Sequence, residues 1–204
     1  MKRIIAIMLA MVMLLSFNAC KNNNNDDETQ PPQETVSIDV EVLKADWQNG
    51  VLYFPNDKNV QFPCTVNEFV EKSGLKISNA DIFSNKDIVP QEEITLNVAG
   101  EGLSFRIKAK NTSKESVKYL DATIFYYSFN NTTEANRQIK FAGTLSPGAT
   151  RIAVEEALGI PEGRTEEDSL YIYNGRNEQK KKVKLTVAFN SYNITNSVAY
   201  EISL

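Results

Sequence analysis

Apolar and polar residues alternate most regularly in two stretches of this chain. Leu103, Phe105 and Ile107 take turns with Ser104, Arg106 and Lys108, and Val183, Leu185, Val187 and Phe189 with Lys184, Thr186 and Ala188. Successive strand side chains point to opposite faces, so each stretch predicts a strand with one buried and one wet face. Such strands belong to an antiparallel sheet covered on one side only. Residues 94–98, 117–129, 170–173 and 198–204 are also strand-like, with breaks at Ala99-Gly100-Glu101-Gly102 and Asn111-Thr112-Ser113-Lys114-Glu115.

Two short segments carry helical spacing instead. Thr65 and Glu68 have the spacing of a capping box, Val66, Phe69 and Val70 form one apolar stripe, and Gly74 supplies the stop. Thr150 to Gly159 repeats this plan, with Val154, Ala157 and Leu158 as the stripe. Short apolar pieces, 60–62 and 139–141, precede the two helices, and three strand-like segments follow each. The expected fold is therefore α+β, an antiparallel sheet with short helices on one face, built from two tandem strand-helix-three-strand repeats over 36–132 and 133–204.

A different pattern opens the chain. Lys2 and Arg3 precede an apolar run over 4–15, followed by Ser16-Phe17-Asn18-Ala19 and Cys20. The run is shorter than the about 20 residues of a membrane span. Residues 1–19 read as a bacterial lipoprotein signal peptide and Cys20 as the acylated residue, the contact with a membrane. Residues 20–35 contain Lys21, four asparagines, Asp26, Asp27 and Glu28, with nothing to bury, and form a tether. Its lysine and acidic cluster resemble surface-export signals of lipoproteins in some Gram-negative bacteria; a plain spacer is the alternative. The expected location is the outer membrane of a Gram-negative bacterium, with or without surface exposure.

Composition removes several chemistries. The chain has 22 Lys and Arg against 26 Asp and Glu, and loss of Lys2 and Arg3 leaves 20 against 26, a mature balance of −6. A mildly acidic chain is a poor neutraliser of phosphates, so nucleic acid is not an expected partner. With Cys20 acylated, Cys64 has no cysteine to pair with, and Phe62-Pro63-Cys64-Thr65-Val66 reads as a site for a small buried thiol. The chain has no histidine, which excludes serine–histidine and cysteine–histidine catalysis and histidine metal sites. No enzyme activity, cofactor or metal is expected.

Gly148-Ala149-Thr150, Val154 and Leu158-Gly159-Ile160-Pro161, with Tyr171 and Tyr173 further on, resemble the G-x-T-x-x-x-V-x-x-x-L-G-x-P signature of envelope lipoproteins of the SmpA/OmlA type. The same unit used twice builds the β-lactamase inhibitor protein fold. The resemblance covers 139–204 well and 60–129 weakly. It implies a lipid-anchored module that binds another protein through a sheet face or loops, accessory to outer-membrane processes. It carries no binding residue across, because the matching positions are structural.

The candidate binding residues come from the strand pattern. Over 117–129 both faces are apolar, so the strand is either central, with core aromatics, or presents one sticky face to a partner. In the second case Phe125 and Tyr127, beside Arg106 and Lys108, are the expected anchors. Glu162, Arg164, Glu166, Glu167 and Asp168 crowd a loop and read as solvated rather than as catalytic carboxylates or calcium ligands. Lys180, Lys181, Lys182 and Lys184 read as a charged strand edge. Asp168-Ser169-Leu170 resembles a short O-glycosylation acceptor centred on Ser169. The expected function is a lipid-anchored cell-envelope binding protein whose partner is an unknown envelope protein; the alternative is a surface-exposed lipoprotein that binds an extracellular glycan or host molecule.

Overall fold

The computed structural model describes residues 40–165 and 169–204, with side chains from Leu43 onward; the signal peptide, Cys20, the tether and residues 166–168 lie outside them. One helix and a small hairpin come first: α1 (Val40–Gln48), β1 (Val51–Tyr53) and β2 (Asn59–Gln61). Then β3 (Cys64–Thr65), α2 (Val66–Ser73), β4 (Lys76–Ile77), β5 (Glu93–Gly100), β6 (Leu103–Lys110) and β7 (Thr123–Asn130) form a first unit. The second consists of α3 (Arg151–Leu158), β8 (Gly163–Arg164), β9 (Leu170–Arg176), β10 (Lys182–Phe189) and β11 (Thr195–Ile202).

In the antiparallel nine-stranded sheet the order is β4-β5-β6-β7-β11-β10-β9-β8, and β3 pairs with the start of β7. Each unit is thus a helix, a two-residue strand and a three-strand meander, and the units meet through their last strands. Local chemistry repeats with the topology. Thr65 caps α2 by accepting the Glu68 N–H, with the Glu68 carboxylate accepting the Thr65 N–H in return, and Thr150 caps α3 by accepting the Ala153 N–H. Both threonines have φ −72. Thr65 pairs with Thr123 at the start of β7, and Thr150 bridges Ile194 just before β11. Each cap therefore ties its helix to the final strand of its own unit.

The helices and the β1–β2 hairpin cover one face of the sheet. Phe69 of α2 and Phe54 of the hairpin pack on Phe105, Phe62 packs on Tyr127, and Trp47 of α1 packs on Tyr173. At the seam between the units Tyr127 of β7 and Tyr200 of β11 stand opposite in register with rings stacked at 5.1 Å. One core runs through both units.

Three expectations about elements are corrected. Residues 117–129 are not one strand: Val117 makes only an isolated bridge to Ile88, Tyr119–Asp121 is a 3-10 turn, and β7 starts at Thr123. Residues 60–62 begin in the separate hairpin sheet, and 139–141 contribute one bridge, Lys140 to Tyr53, rather than a strand. The α1 helix and the short strands β1, β4 and β8 carry too little pattern to be predicted from spacing.

Candidate binding surface

The face of the sheet away from the helices is uncovered by any described residue. Every outward position of β5, β6, β7, β9, β10 and β11 is exposed or half-buried, and the inward positions are almost all buried. Sequence alternation produces this on each strand: Leu103, Phe105, Ile107 and Ala109 point in while Ser104, Arg106, Lys108 and Lys110 point out.

On β7 the alternation is interrupted. Lys108 pairs with Tyr126 and the next residue, Ala109, with Ile124, so Phe125 is an extra residue on its strand. Such a bulge resets which face each later side chain takes. Ile124, Tyr127 and Phe129 are buried on the helix side, and Tyr126, Ser128 and Asn130 point out. The four anchor candidates are accordingly split. Arg106 and Lys108 stand on the open face; Tyr127 is fully buried on the other, and Phe125 packs partly against the core. The outward aromatic is Tyr126, whose ring lies 4.9 Å from the Lys108 ammonium.

The open face is charged opposite to the chain as a whole. Lys76, Arg106, Lys108, Lys110, Lys182 and Lys184 stand on it, with Arg176 at its edge, against Glu93 and Glu201. Lys110 pairs with Glu93 at 3.7 Å and Lys184 with Glu201 at 3.5 Å. Exposed pairs of this kind contribute little to stability. The remaining cations have no carboxylate partner among the described residues, so the face is a positive field on a chain of net charge −4.

Arg106 lies in a depression of about 340 Å³ lined by Asn97, Ser104, Ser128, Asn130 and Ser197, together with Phe105 and Phe129, whose strand positions face the core. Asn97, Arg106 and Ser128 form one row across three strands, and Ser197 pairs with Asn130 beside it. Small serines on β6, β7 and β11 leave the hollow. Sequence reasoning found Arg106 but missed its polar surroundings, because Asn97, Ser128 and Ser197 come from three other strands that only sheet register brings beside it.

The other candidate residues take structural places. Cys64 is buried on β3, and burial, with Glu68 nearby, pushes its thiol up to about 12. Ser169 is half-buried, its N–H donating to the Thr165 hydroxyl at 3.1 Å and its hydroxyl 3.1 Å from the same oxygen. In the acidic loop Glu162 accepts from Asn174, and the Arg164 guanidinium lies 5.4 Å from the Tyr171 ring. No group of three or more Cys, Asp or Glu is placed to hold a metal among the described residues. On the helix side an apolar cleft of about 410 Å³ lies beside the contact of α1 with α3, with Leu43, Leu145, Ala153 and Ala157 in its walls.

Compared with protein families, with characterised proteins and with solved structures, the chain gives no match.

Proposed function

We propose that this chain is a lipid-anchored, non-enzymatic binding protein of the bacterial cell envelope, held at the outer membrane through Cys20, and that the open sheet face is its working surface. The observation that carries the reading is the segregation of charge: an acidic chain gathers unpaired cations and free amides and hydroxyls on the one sheet face its helices leave uncovered. The resemblance to SmpA/OmlA lipoproteins and the β-lactamase inhibitor protein implies one unit used twice and a partner gripped across the sheet, and the repeated helix-and-meander plan is compatible with it. A thiol buried and pushed up to about 12 is no nucleophile, which favours binding over catalysis.

An envelope protein is the first partner class. The alternative, an extracellular glycan, is favoured by the polar lining of the Arg106 depression. Two measurements check the proposal. A clickable fatty acid should label the wild-type chain in cells and leave Cys20→Ala unlabelled. A photo-crosslinking residue at Ser128, on the open face, should form adducts that one at Glu71, on the exposed side of α2, does not. Absence of adducts from Ser128 would remove the sheet face as the working surface.

A further inference from the structure

We infer that the depression around Arg106 is a binding site for an acidic saccharide, with Arg106 receiving a carboxylate and the surrounding amides and hydroxyls receiving sugar hydroxyls. The inference rests on the open face being the working surface and names what it takes.

The chemistry of the lining selects the ligand class. Arg106 is exposed and makes no ion pair or hydrogen bond with any described residue, so its five N–H donors are available in the planar fork that fits a carboxylate. The side chains of Asn97, Ser104, Ser128 and Ser197 likewise make no hydrogen bond within the described protein, and Asn130 uses only its carbonyl oxygen, on Thr132. A neutral polar array surrounding one cation matches a molecule with many hydroxyls and few negative charges. An acidic peptide would need apolar anchor pockets, and the lining has no outward apolar side chain. The adjacent Tyr126 is already occupied by Lys108.

Size agrees with this. Neighbouring strands lie about 4.8 Å apart, so a row from β5 to β11 spreads over about 14 Å, the reach of a short oligosaccharide rather than of a single small anion. The volume of about 340 Å³ lies within the range of ligand sites. Lys108, without a carboxylate partner among the described residues, stands further along the same face, where it attracts a further acidic group of a longer chain and makes the binding salt-dependent.

The test uses the purified full chain in detergent and calorimetric titration with oligogalacturonate, oligohyaluronate and oligosialate, each against its uncharged methyl ester. At least one acid form should bind, with its ester at least tenfold weaker. Arg106→Ala should weaken that binding by about tenfold or more while leaving the melting temperature unchanged, as expected for one charge-assisted contact from an exposed side chain. Failure of all three acids, equal binding of acid and ester, or indifference to Arg106→Ala overturns the inference. Vesicles of anionic phospholipid that bind in an Arg106-dependent way, when no saccharide does, assign the face to a membrane and overturn it too. If the acids fail but the wild-type protein still forms the Ser128 crosslink in cells, the saccharide is wrong and the working face stands; if the acids fail and Ser128 gives no crosslink, both fall.

Discussion

The hydroxyl of Tyr127 is buried without a hydrogen-bond partner among the described residues, although its ring stacks on Tyr200 and Phe129. An unsatisfied buried hydroxyl costs free energy that removing it recovers. Tyr127→Phe is therefore expected to leave stability unchanged or raise it by up to about 1 kcal/mol. Tyr200→Phe removes a bond donated to the Gln48 carbonyl and is expected to lower stability by about 1 kcal/mol. Urea unfolding of the two variants decides the point, and a clear loss for Tyr127→Phe would show that its hydroxyl is satisfied. Cys64 gives a second prediction at this scale. With a buried thiol pushed up to about 12, the native protein should resist thiol reagents at pH 8 and react stoichiometrically once unfolded. Rapid labelling of the native state would contradict the burial.

The elements are held by their ends. Gly74 terminates α2 at φ 72, where a side chain would meet only the mobile end of Lys58. Gly50 links α1 to β1 at φ 67, but a Cβ there would lie 2.7 Å from the ring of buried Tyr200. Gly74→Ala is expected to cost about 1 kcal/mol for its backbone conformation alone. Gly50→Ala adds a clash that the packed ring cannot avoid, so thermal melting should fall further for it than for Gly74→Ala; equal shifts would refute this. Helices α2 and α3 and the alternating strands β6 and β10 were legible because cap, stripe and stop, or strict alternation, lie within a few residues of one another. The bulge at Phe125 was not, since its cause is the pairing of β7 with β6 rather than any local signal.

Across the whole molecule, the two units share one sheet and a core that crosses the β7–β11 seam. They are expected to unfold in one transition, followed alike by Trp47 fluorescence and by backbone circular dichroism; separated transitions would mean that the seam does not couple them. Burial raises the phenols of Tyr127, Tyr173 and Tyr200, two of which form that seam. A group whose folded pKa is raised stabilises fully below its unfolded value, about 10 for tyrosine, and that stabilisation is lost as pH rises beyond it. Stability should hold to about pH 9 and then decline by about 1.4 kcal/mol per pH unit for each such tyrosine. Denaturant midpoints across the alkaline range check the slope, and a flat profile would contradict the burial of the seam.

The amino-acid sequence by itself determined the α+β class, the caps of α2 and α3, the inward and outward faces of β6 and β10, and the absence of histidine chemistry. These depend on residues close in the chain, where period and capping chemistry suffice. Only the tertiary structure decided that the helix-and-meander units meet through β7 and β11, that Tyr127 belongs to the core, and that Arg106 stands among Asn97, Ser128 and Ser197 on an open cationic face. Register between strands brings those residues together, and register is set by packing across the whole sheet.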